Sequence, residues 1–200
     1  MNKPLILASK SPVRAKMLRD AGLFFEVKAS ALDEQPIKDH CLAQDEPDLL
    51  AIAPTLARQK ALDISHDWPG SYVIGADQTL IHDQTLLSKA ADESSLRQQL
   101  LSLRGQTHHL HSAVALAFNG AILWQWDQQA VLWMRHFSDA FLDHYLALGG
   151  EALYQSVGGY CLEAEGVQLF DRIEGDYFSI LGLPLLPLLE FLRTEKLILK

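Results

Sequence analysis

Two cysteines, Cys41 and Cys161, are all that 200 residues contain. They lack the paired spacing of a zinc site or a disulfide framework, and without a secretory leader they read as reduced, structural thiols. The chain has no glycine-rich P-loop, which excludes the usual NTPase phosphate cradle. It has no apolar run of membrane-spanning length either. The first such run, residues 4–8, is too short for a signal segment, and "LGLPLLPLLEFL" near the end is broken by Pro184 and Pro187. A basic excess is also missing: 17 Lys and Arg stand against 25 Asp and Glu, a net charge of −8. A nucleic-acid polymer is therefore a poor ligand, because phosphate-backbone affinity needs a basic face. These absences predict a cytoplasmic protein with no membrane and no polymer partner. A small phosphorylated ligand, met by a few locally placed cations, is the anion that remains.

What is present is an ordinary globular composition, 48% hydrophobic and 21% charged, without a disordered tract or an internal repeat. One domain spanning 1–200 is expected. Residues 4–8 predict a buried strand, and Ser11-Pro12 marks the start of a helix closed by Gly22. "LFFEVK" predicts a second strand, and Ala29 to Pro47 reads as polar and irregular. A helix follows from Asp48 to Ser65, kinked or split at Pro54. "SYVIGADQTLIHDQTLL" predicts a strand that breaks at Gly75-Ala76 and resumes as a hairpin around His82-Asp83-Gln84. Residues 92–104 form a helix capped by Asp92. Two long strands then meet at Asn119-Gly120, the strongest hairpin signal in the chain. Ser138 opens another helix, "SVGGYCLEAEG" reads as a loop, "VQLFDRI" as a strand, and Pro184 opens a closing helix. The count is about seven strands and five helices, a mixed α/β chain.

Several stretches could carry chemistry. In "LILASKSPVR" a strand empties into hydroxyls and positive charge. Ser9, Ser11 and Arg14 at a helix whose first amides are free would bind an anion, although a capped helix is the plainer reading of that segment alone. Asp77 in "VIGADQT" is placed just past a buried strand, where a carboxylate can hold a divalent cation or take a proton from water. Asp33 and Glu34 point opposite ways, so at most one of them faces a given site. Lys60 and Lys89 are candidate phosphate neutralisers, and equally plain surface charges. His109 and His111 share a strand face but lack a third ligand at metal spacing, so polar strand residues are preferred to zinc. Trp124 and Trp126 share a face that suits packing better than base stacking.

The order of these stretches says more than any one of them. "LILASKSPVRAKMLRDAG", "ALDEQP", "LARQKA", "VIGADQT", "LLSKA", "LSLRGQTHHLHSAVAL", "VGGYCLEAEG" and "IEGDYFSILGLPL" together resemble the Maf family of nucleoside triphosphate pyrophosphatases over nearly the whole chain. The resemblance implies a two-lobed α/β fold with a mixed twisted sheet and a deep cleft, similar to the inosine triphosphate pyrophosphatases. It implies hydrolysis of a nucleoside triphosphate to monophosphate and pyrophosphate, with Mg²⁺ or Mn²⁺. By position, Ser9, Arg14, Lys60 and Lys89 would bind substrate, Glu34 and Asp77 would hold the metal, and Asp77 would be the catalytic proton acceptor. A homodimer is a further expectation.

Three departures bear on specificity. Val13 stands where the family has a first arginine, Gln78 where it has threonine, and Glu163 where it has glutamine. Gln78 and Glu163 look like the branch acting on 7-methyl-GTP, since an acidic side chain can accept from guanine's N1–H and amine. Val13 stands where that branch tends to carry an aromatic. A dTTP/UTP pyrophosphatase is the enzymatic alternative, and a nucleotide-binding regulator of cell division is the non-enzymatic one. "QSVGGY" at 155–160 lacks an Asp-Lys pair common in the family, as the 7-methyl-GTP branch does. Ser88-Lys89-Ala90 keeps the lysine but not the flanking glycine and proline.

Overall fold

The computed structural model describes residues 4–44 and 47–199. Among them, seven strands form one mixed sheet in the order β2-β1-β3-β5-β6-β7, with β4 paired to β3. The strands are β1 (Leu5–Leu7), β2 (Glu26–Val27), β3 (Tyr72–His82), β4 (Thr85–Leu87), β5 (Thr107–Phe118), β6 (Ala121–Met134) and β7 (Phe170–Glu174). β1 runs parallel to both β2 and β3, while β4 and β7 are antiparallel to their neighbours. By contacts the chain divides into two compact units. One comprises the chain up to Gln78, residues 112–128, and everything from Gly182; the other comprises 79–111 and 129–181.

In the first unit, Ser11 caps α1 (Pro12–Asp20), its side chain accepting from Arg14 N. The proline sits at the first helical position, where no amide hydrogen is needed. Two expectations fail here. The irregular stretch contains a helix, α2 (Gln35–Leu42), and the strand in "LFFEVK" shrinks to two residues. None of α2's residues is buried, so it carries no apolar stripe for sequence periodicity to reveal. Asp45 and Glu46, in the same stretch, lie outside the described residues.

Pro54 neither kinks nor splits α3 (Ile52–Asp67), because the helix begins only two residues before it. A 3-10 turn at Leu49–Ala51 precedes it, with the Asp48 side chain accepting from Leu50 N and Ala51 N.

The most consequential correction concerns β3, which runs unbroken through Gly75-Ala76 and places Asp77 in mid-strand. Gly75 is not a breaker here. A Cβ on it would lie 2.1 Å from the Ala57 carbonyl oxygen and 2.6 Å from Ala61 N, so its lack of a side chain lets α3 press onto the strand. Ala53, Ala57 and Ala61, one helical turn apart, form the matching ridge. They pack with Ala113, Ala115 and Ala117, alternate residues of β5. Small side chains throughout this layer bring the helix backbone close to the sheet.

At the end of the first unit, α8 (Leu185–Thr194) buries Leu185, Leu188 and Leu192. Its Phe191 stacks on Trp124 with ring centroids 5.0 Å apart, so that tryptophan packs, whereas Trp126 remains 48% exposed.

The second unit holds the larger apolar core. It is built on Leu96, Leu100 and Leu103 of α4 (Glu93–Leu103), with Leu132, Leu142 of α5 (Asp139–Gly149), and Tyr160. Asp92 caps α4 in a reciprocal capping box with Ser95. Both residues of the β3–β4 turn, Asp83 and Gln84, have positive φ, as do Asn119 and Gly120 between β5 and β6, the backbone demanded by two-residue hairpins. Two single-turn helices complete the unit, α6 (Ala152–Gln155) and α7 (Tyr177–Ile180). Among the described residues, no helix is long and apolar enough to cross a membrane.

His108 is fully buried in this core. Its Nε2 lies 2.7 Å from the Tyr160 hydroxyl, and its Nδ1 has no hydrogen-bond partner among the described residues. Burial, with smaller contributions from His82 and His109, pushes its pKa down to about 3. The unfolded chain takes up a proton near pH 6.5 that the folded chain refuses, so this stability is present above that pH and is lost as pH falls toward 3. Between pH 7 and pH 5 the single group should cost about 2 kcal/mol. Denaturant titrations at both pH values check this. His108→Gln should show a drop smaller by about that amount, and equal drops would contradict it.

Candidate active site

The opening stretch, "LILASKSPVR", turns out to hold its own arginine. Leu7 ends β1, Ser9 follows buried, and α1 carries Arg14 back over the strand end. Arg14 Nη1 donates to Ser9 Oγ (3.1 Å) and to the Ala76 carbonyl (3.0 Å), and its Nε donates to the Gly182 carbonyl (2.7 Å). The guanidinium is thus fixed from three sides, with Nη2 as its remaining donor group among the described residues. Burial lowers the Arg14 pKa, while the charges of Asp77 and Glu34 work to raise it.

The helix-start amides are open only in part. Pro12 has no amide hydrogen, Arg14 N donates to the Ser11 side chain, and Ser11 N donates to Ser9 Oγ. Positive charge at this end comes chiefly from a positioned side chain.

One residue beyond Ala76 on β3 is Asp77, only 7% exposed. Its Oδ1 accepts from Lys60 Nζ at 2.6 Å. The same ammonium lies 2.6 Å from Glu34 Oε1, and the other oxygen of Glu34 is paired with Lys38 Nζ at 2.9 Å. Three elements therefore converge: β3 supplies Asp77, α3 supplies Lys60, and the residue just before α2 supplies Glu34. The Gly75–Ala57–Ala61 contact holds β3 and α3 near enough for a lysine to span the gap. Asp33 is directed elsewhere and accepts from Gln35 N, as expected of adjacent carboxylates.

Electrostatics separate the two acids. Burial pushes the Asp77 carboxyl above its ordinary value against the opposing pull of Lys60 and Arg14. For Glu34 burial also pushes upward, but two lysines outweigh it and bring the pKa down to about 2. Glu34 is a fixed negative charge; Asp77 is the more basic carboxylate.

Gln78, the next residue, donates from Nε2 to Ser112 Oγ at 2.9 Å. Val13 is half-buried in the first turn of α1. Ser9, Arg14, Glu34, Lys60, Asp77 and Gln78 all belong to the first unit. Lys89, exposed after β4, and Glu163, exposed before the 3-10 turn at Glu165–Leu169, belong to the second. Sequence reasoning missed Lys38, whose i,i+4 relation to Glu34 shows only once α2 is known, and the carbonyls of Ala76 and Gly182, which no side-chain pattern encodes.

Among the described residues no three His, Cys, Asp or Glu side chains gather as a metal site. Glu34 and Asp77 nevertheless aim oxygens at one shared cation. Two hard carboxylates of this kind suit Mg²⁺ or Mn²⁺ when phosphate and water complete the shell.

The protein-family model for Maf-like proteins matches residues 4–195. A nucleoside triphosphate pyrophosphatase of Caulobacter vibrioides is 51% identical over 96% of this chain and 96% of its own. A 7-methyl-GTP pyrophosphatase of Rhizobium johnstonii is 45% identical, again over 96% of both chains. Among solved structures, a HAM1 protein from Coxiella burnetii is similar with a TM-score of 0.39 and 13% identity, over 66% of this chain and 73% of that one, a likeness too slight to argue from. A family match of this extent, with relatives this similar over nearly their full length, places the chain in the Maf family.

Proposed function

We propose that this protein hydrolyses a nucleoside triphosphate between its α- and β-phosphates, releasing the monophosphate and pyrophosphate. The observation that carries the reading is Asp77, a buried and comparatively basic carboxylate within hydrogen-bond reach of one cation and in the field of a second. Water must attack the α-phosphorus while pyrophosphate leaves, and both events concentrate negative charge. Asp77 orients that water and accepts its proton. Arg14, held rigid by Ser9, Ala76 and Gly182, presents Nη2 to the phosphates without reorganising. Lys60 supplies a second positive charge for the phosphates, and Lys89 is a further candidate phosphate-binding cation. A divalent cation held by Glu34 and Asp77 would neutralise charge on the departing pyrophosphate.

Within that activity, 7-methyl-GTP is the favoured substrate. Gln78 and Glu163 support it, as does 45% identity to a relative named for that activity. Glu163 is an exposed carboxylate able to accept from guanine's N1–H and exocyclic amine, which pyrimidines do not offer.

Turnover measured with Mg²⁺ or Mn²⁺ across 7-methyl-GTP, GTP, dTTP, UTP and CTP tests both levels. The expected products are pyrophosphate and monophosphate in equal amounts, with the highest kcat/KM on 7-methyl-GTP and none after chelation. Release of orthophosphate would overturn the reaction itself. Preference for dTTP or UTP would overturn only the substrate.

A further inference from the structure

Lys60 occupies an unusual position for a residue whose task is to meet phosphate. Its ammonium does not reach outward. It lies between Glu34 Oε1 and Asp77 Oδ1, 2.6 Å from each, with the side chain only 13% exposed. A divalent cation sits about 2.1 Å from a carboxylate oxygen, so one shared by these two oxygens would take the space the ammonium now fills. A monocation and a dication cannot occupy adjacent positions on one carboxylate pair without strong repulsion in a partly buried site. Either the lysine or the metal holds the pair.

We propose that Lys60 is a placeholder: its ammonium closes the Glu34–Asp77 pair before the metal arrives and is displaced toward the substrate phosphates when the metal binds. The inference rests on the pyrophosphatase reading for the identity of the incoming metal. Lysine's long flexible stem and point charge suit this exchange, where a planar guanidinium would not. Phosphate is the natural destination for the displaced charge, so metal and nucleotide binding are coupled through one side chain. Lys38 lies outside the shared position. It pairs with the other oxygen of Glu34, Oε2, at 2.9 Å and does not stand between the two carboxylates.

Lys38 also provides the control. Removing any nearby positive charge strengthens cation binding somewhat through the general field, but only Lys60 occupies the metal's position. Mn²⁺ binding to the nucleotide-free protein, followed by calorimetry or by the loss of free-Mn²⁺ electron paramagnetic resonance, is compared for wild type, Lys60→Met, Lys60→Gln and Lys38→Met. Lys60→Met and Lys60→Gln should each bind Mn²⁺ at least tenfold more tightly than wild type, with Lys38→Met changed by no more than about threefold. Equal strengthening at both positions would mean a field effect alone and would overturn the placeholder. Unchanged or weaker binding in the Lys60 variants would do the same.

A variant left with two facing, unneutralised carboxylates could lose its fold without metal. In that case the thermal midpoint gives the same answer, because Mn²⁺ should raise it far more for Lys60→Met than for wild type. No difference in that rise overturns the proposal. Tight Mn²⁺ binding by the Lys60 variants, with no nucleotide cleaved by wild type, would keep the placeholder and discard the pyrophosphatase reading.

Discussion

Asp77→Asn should reduce kcat on the preferred triphosphate by about a thousandfold or more, within the range expected when a positioned proton acceptor is removed. The change is isosteric, and its amide oxygen can still accept from Lys60, so the fold and the nearby lysine should persist. KM should move much less than kcat, because Arg14, the proposed phosphate-binding cation, is untouched. Steady-state kinetics with product quantification decides it, with circular dichroism confirming the fold. Retention of more than about a tenth of wild-type kcat would remove Asp77 from proton transfer. The expected severity follows from where the residue sits. A carboxylate raised in basicity by burial, yet flanked by Lys60 and Arg14, is not replaced by a neighbour: for Glu34 the upward push of burial is outweighed by two lysines, which bring its pKa down to about 2 and make it a poor base.

Gly75→Ala should be the most damaging single methyl in the first unit. The added carbon would lie 2.1 Å from the Ala57 carbonyl oxygen, 2.6 Å from Ala61 N and 2.9 Å from Ala61 Cβ. Two of these are backbone atoms of α3, which no side-chain rotation can move aside. Overpacking usually costs about 1–3 kcal/mol, and a clash with helix backbone belongs at or above the top of that range. The helix must lift from the sheet, and Lys60, one residue before Ala61, moves with it. A second consequence is therefore a longer Lys60–Asp77 separation and lower activity in the molecules that remain folded. Urea unfolding measures the first effect and turnover per folded molecule the second. Stability within about 0.5 kcal/mol of wild type would show that the layer can yield.

That contact explains which parts of the protein could be read from its residues. Short-range chemistry was plain. Ser11-Pro12 opens α1, Asp92 caps α4 and Ser138 caps α5. Asn119-Gly120 turns the long hairpin with positive φ at both positions. These signals are legible because each is settled within a few residues of backbone. Helix α2 is hard to see for the converse reason: with no buried residue, it offers only Pro36 in its first turn and polar pairing such as Lys38 with Glu34. Gly75-Ala76 misled because glycine's two uses, permitting a turn and permitting close approach, look identical in one dimension.

By itself the sequence determined the mixed α/β class, most element types, and a set of charged residues ordered as in the Maf family. Which of those residues meet was decided by tertiary structure. Glu34, Lys60 and Asp77 come from three separate elements, and they converge because alanine and glycine surfaces let α3 lie close against the sheet. The carbonyls that fix Arg14, from Ala76 and Gly182, belong to the backbone and leave no trace in residue type. Propensity and capping act within a few residues, whereas contacts between distant segments depend on how closely their backbones can approach. That distance is set by side chains that are small or missing, and a reading attentive to charge passes over them.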